Sequence, residues 1–123
     1  MNRIALVLLM LLSFSVSAKQ MTCSIHPNKD TPASALPGLA TISKADAEKT
    51  ALARINASSK DIVDGELETE RGCLIYSFDI RPSGKAGIEE IWVDAGNGKI
   101  LSHKHETPKQ EAAEKAKDKA SSK

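Results

Sequence analysis

The chain has 123 residues, with 17 basic and 16 acidic side chains and three histidines, a formal net charge of +1 at pH 7. That length allows one small domain with a modest core, and the balanced charge argues against nucleic-acid binding, which requires a basic surface. Two cysteines, Cys23 and Cys73, are too few and too far apart for a CxxC redox motif or a cysteine-rich zinc site.

Residues 1–18 read as a cleavable export signal. Asn2 and Arg3 give a polar, positive start, Ile4 to Leu12 is an unbroken apolar run, and small residues lead to an expected cleavage after Ala18. The run falls short of the roughly 20 residues that a membrane span needs. No membrane span is therefore expected after cleavage, and the protein is expected in the periplasm or the medium. Residues 19–40 contain Pro27, Pro32, Pro37 and Gly38 with few large apolar side chains, and read as an irregular arm.

The texture changes at Ile42. Ser43 is a good N-cap, Asp46 stands at the capping-box position, and Ile42 and Ala47 can form a hydrophobic staple. Ala45, Ala51, Leu52 and Ile55 recur at helical spacing, which predicts a helix from Lys44 to Ala57. Alternating patterns follow. Val63, Gly65, Leu67 and Thr69 face one way, and Asp64, Glu66, Glu68 and Glu70 the other. After an Arg71-Gly72 turn, Leu74, Tyr76, Phe78 and Ile80 form an apolar face opposite Cys73, Ile75, Ser77 and Asp79. In "IEEIWVD", Ile91 and Val93 point inward and Glu90, Trp92 and Asp94 outward. "KILSHKH" is a last strand of ambiguous facing, because Ile100 and Leu101 are adjacent. Short connections make the strands antiparallel neighbours. The expected fold class is α+β, one helix packed on a four-stranded antiparallel sheet, over residues 41–106. Residues 107–123 lack large apolar side chains and read as a mobile Lys-rich tail.

Three stretches together resemble the PepSY domain family. "ISKADAEKTALARI" is similar to the family's opening helix, "LETERGCLIYSFDI" to its acidic strand, turn and Tyr-bearing strand, and "IWVDAGNGKIL" to its closing hairpin. The resemblance implies a helix on an antiparallel sheet. It also implies an exported, non-enzymatic binding module that modulates or inhibits a secreted or periplasmic peptidase, with no cofactor.

The candidate functional residues divide by chemistry. Asp94 ends a strand, and Asn97 and Gly98 tolerate the positive φ of the following turn, so Asp94 reads as a turn-forming carboxylate without a titrating partner for acid–base work. Asp64, Glu66, Glu68 and Glu70 form a carboxylate row that a basic peptide or a cation would suit. His103 and His105 at alternate positions are a weaker metal alternative, which goes with a sensor accessory or metal-responsive protein. That alternative requires the histidines and the carboxylates to converge. No Gly-x-Ser-x-Gly, catalytic cysteine arrangement or phosphate loop is present. In an exported chain Cys23 and Cys73 are expected to pair, with free thiols or an intermolecular bridge as the alternatives. Cys73 shares its face with Ile75 and Trp92, and the arm repeats that spacing as Cys23 and Ile25. A Cys23–Cys73 bridge would lay the arm across the outer face and shield Trp92, a possible binding residue.

Overall fold

The helix forms where its cap and staple put it. In a computed structural model describing residues 21–121, α1 spans Lys44–Ile55. The expected export signal lies outside the described residues. Ser43 Oγ accepts the Asp46 N–H at 3.1 Å, and Asn56, left-handed at φ 52°, caps the other end by donating to the Leu52 carbonyl. Ala47 and Ala51 are the buried positions, with Leu52 and Ile55 half-buried beside them. Ala45, expected inward, is exposed, since two residues rotate it about 200° around the helix from Ala47. Small side chains at the centre of the face let α1 lie close on the sheet.

Four strands follow in chain order: β1 (Ile62–Glu70), β2 (Cys73–Ile80), β3 (Ile88–Asp94) and β4 (Ile100–Glu106). They form one sheet in the order β1-β2-β3-β4, and every neighbouring pair is antiparallel. The α+β architecture is as the sequence predicts. On the inner face Leu74, Tyr76, Phe78 and Ile80 of β2 and Ile91 and Val93 of β3 pack with Ala47 and Ala51. The Tyr76 hydroxyl donates to the Ile42 carbonyl at 2.9 Å, which satisfies the polar atom of this row and ties the sheet to the helix entry. Gly65 lies directly over Phe78. A Cβ there would come within 2.9 Å of the ring.

Two register shifts decide which residues face in. In β1, Ile62 pairs with Ile80 and Asp64 with Asp79, which leaves Val63 as the extra residue. Strict alternation places Val63 inward; instead it is 58% exposed, and Ile62 packs against the core. In β4, Ile100 pairs with Val93 and Ser102 with Trp92, so Leu101 is the extra residue. Ile100 thereby joins the helix-side core and Leu101 the opposite face. One bulge resolves the ambiguous strand.

The arm is built into the fold. A disulfide joins Cys23 to Cys73, with Cα atoms 6.0 Å apart, and Met21 and Cys23 pack with Ile75, Trp92 and Leu101 on the outer face. Trp92 is only 8% exposed. Ile25 does not follow Cys23 onto that face. It packs into the helix-side core, because the arm turns over the end of the sheet, where Leu74 N–H donates to the Ile25 carbonyl at 3.0 Å. The arm continues into a 3-10 segment, Ala33–Gly38, that buries Leu36 in the same core.

Beyond β4, residues expected as a mobile tail are helical. This is α2, Pro108–Ser121, with no buried residue. Its start carries a reciprocal cap: Thr107 Oγ1 accepts the Gln110 N–H at 3.3 Å, and Gln110 Oε1 accepts the Thr107 N–H at 2.8 Å. Proline at the first position suits the start of a helix. Glu111 then binds Arg81 and Lys115, each at 2.9 Å.

Candidate functional site

Asp94 stands where the β3–β4 turn meets the arm. The side chain is fully buried. Its Oδ1 accepts the Gly96 N–H at 2.8 Å, the Asn97 N–H at 3.2 Å and the Ser24 hydroxyl; its Oδ2 accepts the Ser24 N–H at 2.9 Å. Burial pushes the carboxyl up, but the four bonds together outweigh it and hold Asp94 below the usual carboxylate range. The turn closes with Gly98 at φ 75° and its N–H on the Asp94 carbonyl, while the Asn97 side chain accepts the Lys99 N–H at 2.9 Å. Asp94 thus binds the turn and also clamps the arm through Ser24, a residue that no local pattern marks. With four donors on it and no exposure to water, the Asp94 carboxylate is engaged in holding the turn and the arm together.

The outer face carries a carboxylate row along β1 that continues onto β2 and β3. Glu66 lies opposite Ser77, Glu68 opposite Ile75, Glu70 opposite Cys73 and Asp64 opposite Asp79. Asp79 in turn pairs with Glu90 and Glu90 with Lys104. Partial burial first, then repulsion from Glu70, Glu66 and Glu90, pushes Glu68 above its ordinary value. Burial followed by Asp64, Glu66, Glu114 and Glu111 does the same to Asp79, and burial followed chiefly by Asp79 does it to Glu90, against the pull of Lys104. Cationic groups are the complement of such a surface. Beside it Trp92 is covered by the arm, with the Arg71 guanidinium and the Lys104 ammonium 5.9 and 5.7 Å from its ring. A partner would reach Trp92 only if the arm moved.

His103 and His105 do not converge with these acids. Their register partners are Ile91 and Glu89, which puts them on the helix side of the sheet. Glu89 receives both, His103 Nε2 at 2.8 Å on one oxygen and His105 Nδ1 at 2.8 Å on the other. Glu89 was not read as a site residue, and its position two residues before Ile91 was the available signal. The ligand set required for the metal-responsive alternative is therefore split between two faces. Among the described residues no helix is long and apolar enough to cross a membrane.

Residues 41–104, just over half of the chain, match the PepSY family, described as the peptidase propeptide and YPEB domain. The chain belongs to the PepSY family. The matched segment runs from the residue whose N–H meets the Ala95 carbonyl, through α1 and β1 to β3, into β4. PepSY domains are generally non-catalytic regulatory modules. The disulfide and α2 lie partly or wholly outside the matched segment, since Cys23 precedes it and Pro108 follows it. No curated protein and no solved structure reaches a significant match to the chain.

Proposed function

We propose that the chain is an exported, non-enzymatic binding module that modulates or inhibits a peptidase outside the cytoplasm. Membership of the PepSY family, whose description names a peptidase propeptide, carries this reading. Two features support it. The disulfide suits an oxidising compartment, periplasmic or secreted, and Asp94, a fully buried carboxylate, is engaged in holding the fold together. Edge strand β1 and the row Asp64, Glu66, Glu68 and Glu70 offer a partner backbone hydrogen bonds along one line and negative charge beside it. No cofactor is needed for such a role.

The test adds the full chain to the secreted and periplasmic peptidases of the source cell and follows hydrolysis of a peptide substrate. The expected result is slower hydrolysis by at least one of them. A Glu66→Lys, Glu68→Lys chain with unchanged melting temperature should inhibit at least tenfold more weakly. The reading fails if no peptidase rate changes, or if charge reversal leaves inhibition untouched.

A further inference from the structure

Three side chains of ligand type meet where the arm crosses the β1–β2 turn. Cys23 and Cys73 are bonded to each other, and the ring nitrogens of His26 stand 3.6 and 3.7 Å from Cys23 Sγ. The ligand atoms of all three residues lie within 4.8 Å of one another, a grouping suited to one metal ion. The imidazole is also oriented. Its Nδ1 lies 3.0 Å from the Gly72 carbonyl oxygen. A carbonyl only accepts, so Nδ1 carries the hydrogen of that bond and the neutral ring keeps its lone pair on Nε2. Metal-binding histidines are oriented in this way, one nitrogen donating to a backbone carbonyl and the other turned to the ion.

We propose that reduction of the Cys23–Cys73 bridge converts this corner into a zinc site, with Cys23, Cys73 and His26 as ligands and water in the fourth position. An external dithiol supplies two electrons and two protons. The Cys23–Cys73 bond breaks, each sulfur gains a hydrogen, and the dithiol closes to its own disulfide. Zn²⁺ then displaces both thiol protons and forms two Zn–S bonds and one Zn–N bond. In a tetrahedral site with Zn–S of about 2.3 Å and Zn–N of about 2.05 Å, sulfur and nitrogen lie about 3.6 Å apart. Cys23 Sγ and His26 Nε2 already stand at 3.7 Å. The two sulfurs must part to about 3.8 Å, and the mobile partner in that step is Cys23. Cys73 is fixed at the start of β2 and fully buried, whereas Cys23 rides on the arm and is only partly buried. In the metal-free dithiol the Met21 and Ile25 carbonyls, 3.2 and 3.5 Å from the sulfurs of Cys73 and Cys23, accept the thiol hydrogens that the cation later replaces. Because the ion binds only the dithiol, it draws the redox equilibrium toward the reduced form.

The full chain, reduced with a phosphine, freed of reductant without air and titrated with Co²⁺, tests this directly. One equivalent should bind with thiolate-to-cobalt charge-transfer absorption, and Zn²⁺ should displace it. The oxidised chain should show no such band. His26→Ala should weaken binding at least tenfold and alter the spectrum. A reduced chain without the band overturns the proposal. A His26→Ala chain with unchanged affinity and spectrum overturns it as well, since two thiols alone would then account for the binding.

Discussion

Replacing Asp94 by Asn removes a charge and one acceptor while keeping the shape. Oδ1 receives three donors and Oδ2 receives the Ser24 N–H. An amide oxygen can take the Oδ1 place, but the amide nitrogen then faces the Ser24 N–H, donor against donor. Leaving a buried donor unmet costs about 1–3 kcal/mol, and the three remaining bonds lose their charge assistance. The expected loss is about 3 kcal/mol, or about 12–24 °C in melting temperature for a domain of this size. The pH dependence has a definite sign. The folded carboxyl is held below its ordinary value, so its contribution is complete above the unfolded value of about 3.9 and is lost as pH falls through the folded one. Asn does not titrate. The gap between the two proteins should therefore be constant from pH 7 to about 5 and narrow below about 4. Urea unfolding from pH 7 to pH 3, followed by emission of the single tryptophan Trp92, measures it. A gap under about 1 kcal/mol at pH 7, or one that does not narrow in acid while both proteins remain folded, would refute the argument.

Cys23→Ser opens a loop closed across a sequence separation of 50; stability should fall by about 4 kcal/mol on the chain-entropy account, and Trp92 emission should shift to the red as Met21 and Cys23 leave it. Gly65→Val drives a branched side chain into Phe78, and a loss of about 1–3 kcal/mol in urea is expected. Tyr76→Phe leaves the Ile42 carbonyl without its donor, and a loss of about 1 kcal/mol should appear in the same measurement. An unchanged midpoint for either core variant would show that the contact contributes nothing.

Much of the fold was written in local patterns. Ser43 capping Asp46, the alternation of Leu74, Tyr76, Phe78 and Ile80, and the Asp94-to-Gly98 turn are short-range features. Each is set by a few neighbouring residues, and α1, β2 and the β3–β4 hairpin follow from them. The pairing of Cys23 with Cys73 was legible too, because the expectation of an oxidising compartment and the shared facing both pointed to it. The Thr107–Gln110 cap is equally local, but a stretch without large apolar residues gives no periodicity to mark the helix that follows it. Tertiary structure alone decided the rest. Two bulges turned Val63 out and separated Ile100 from Leu101, a choice made by the partner strand and not by alternation within one. Cross-strand register placed His103 and His105 against Glu89 on the face away from the carboxylate row, so the convergence that the metal-responsive alternative requires is absent here. The arm's turn over the sheet end brought Ser24 to Asp94 across a separation of 70 residues and His26 to Cys23 beside the β1–β2 turn. Such meetings depend on where the whole chain goes, and no local pattern encodes them.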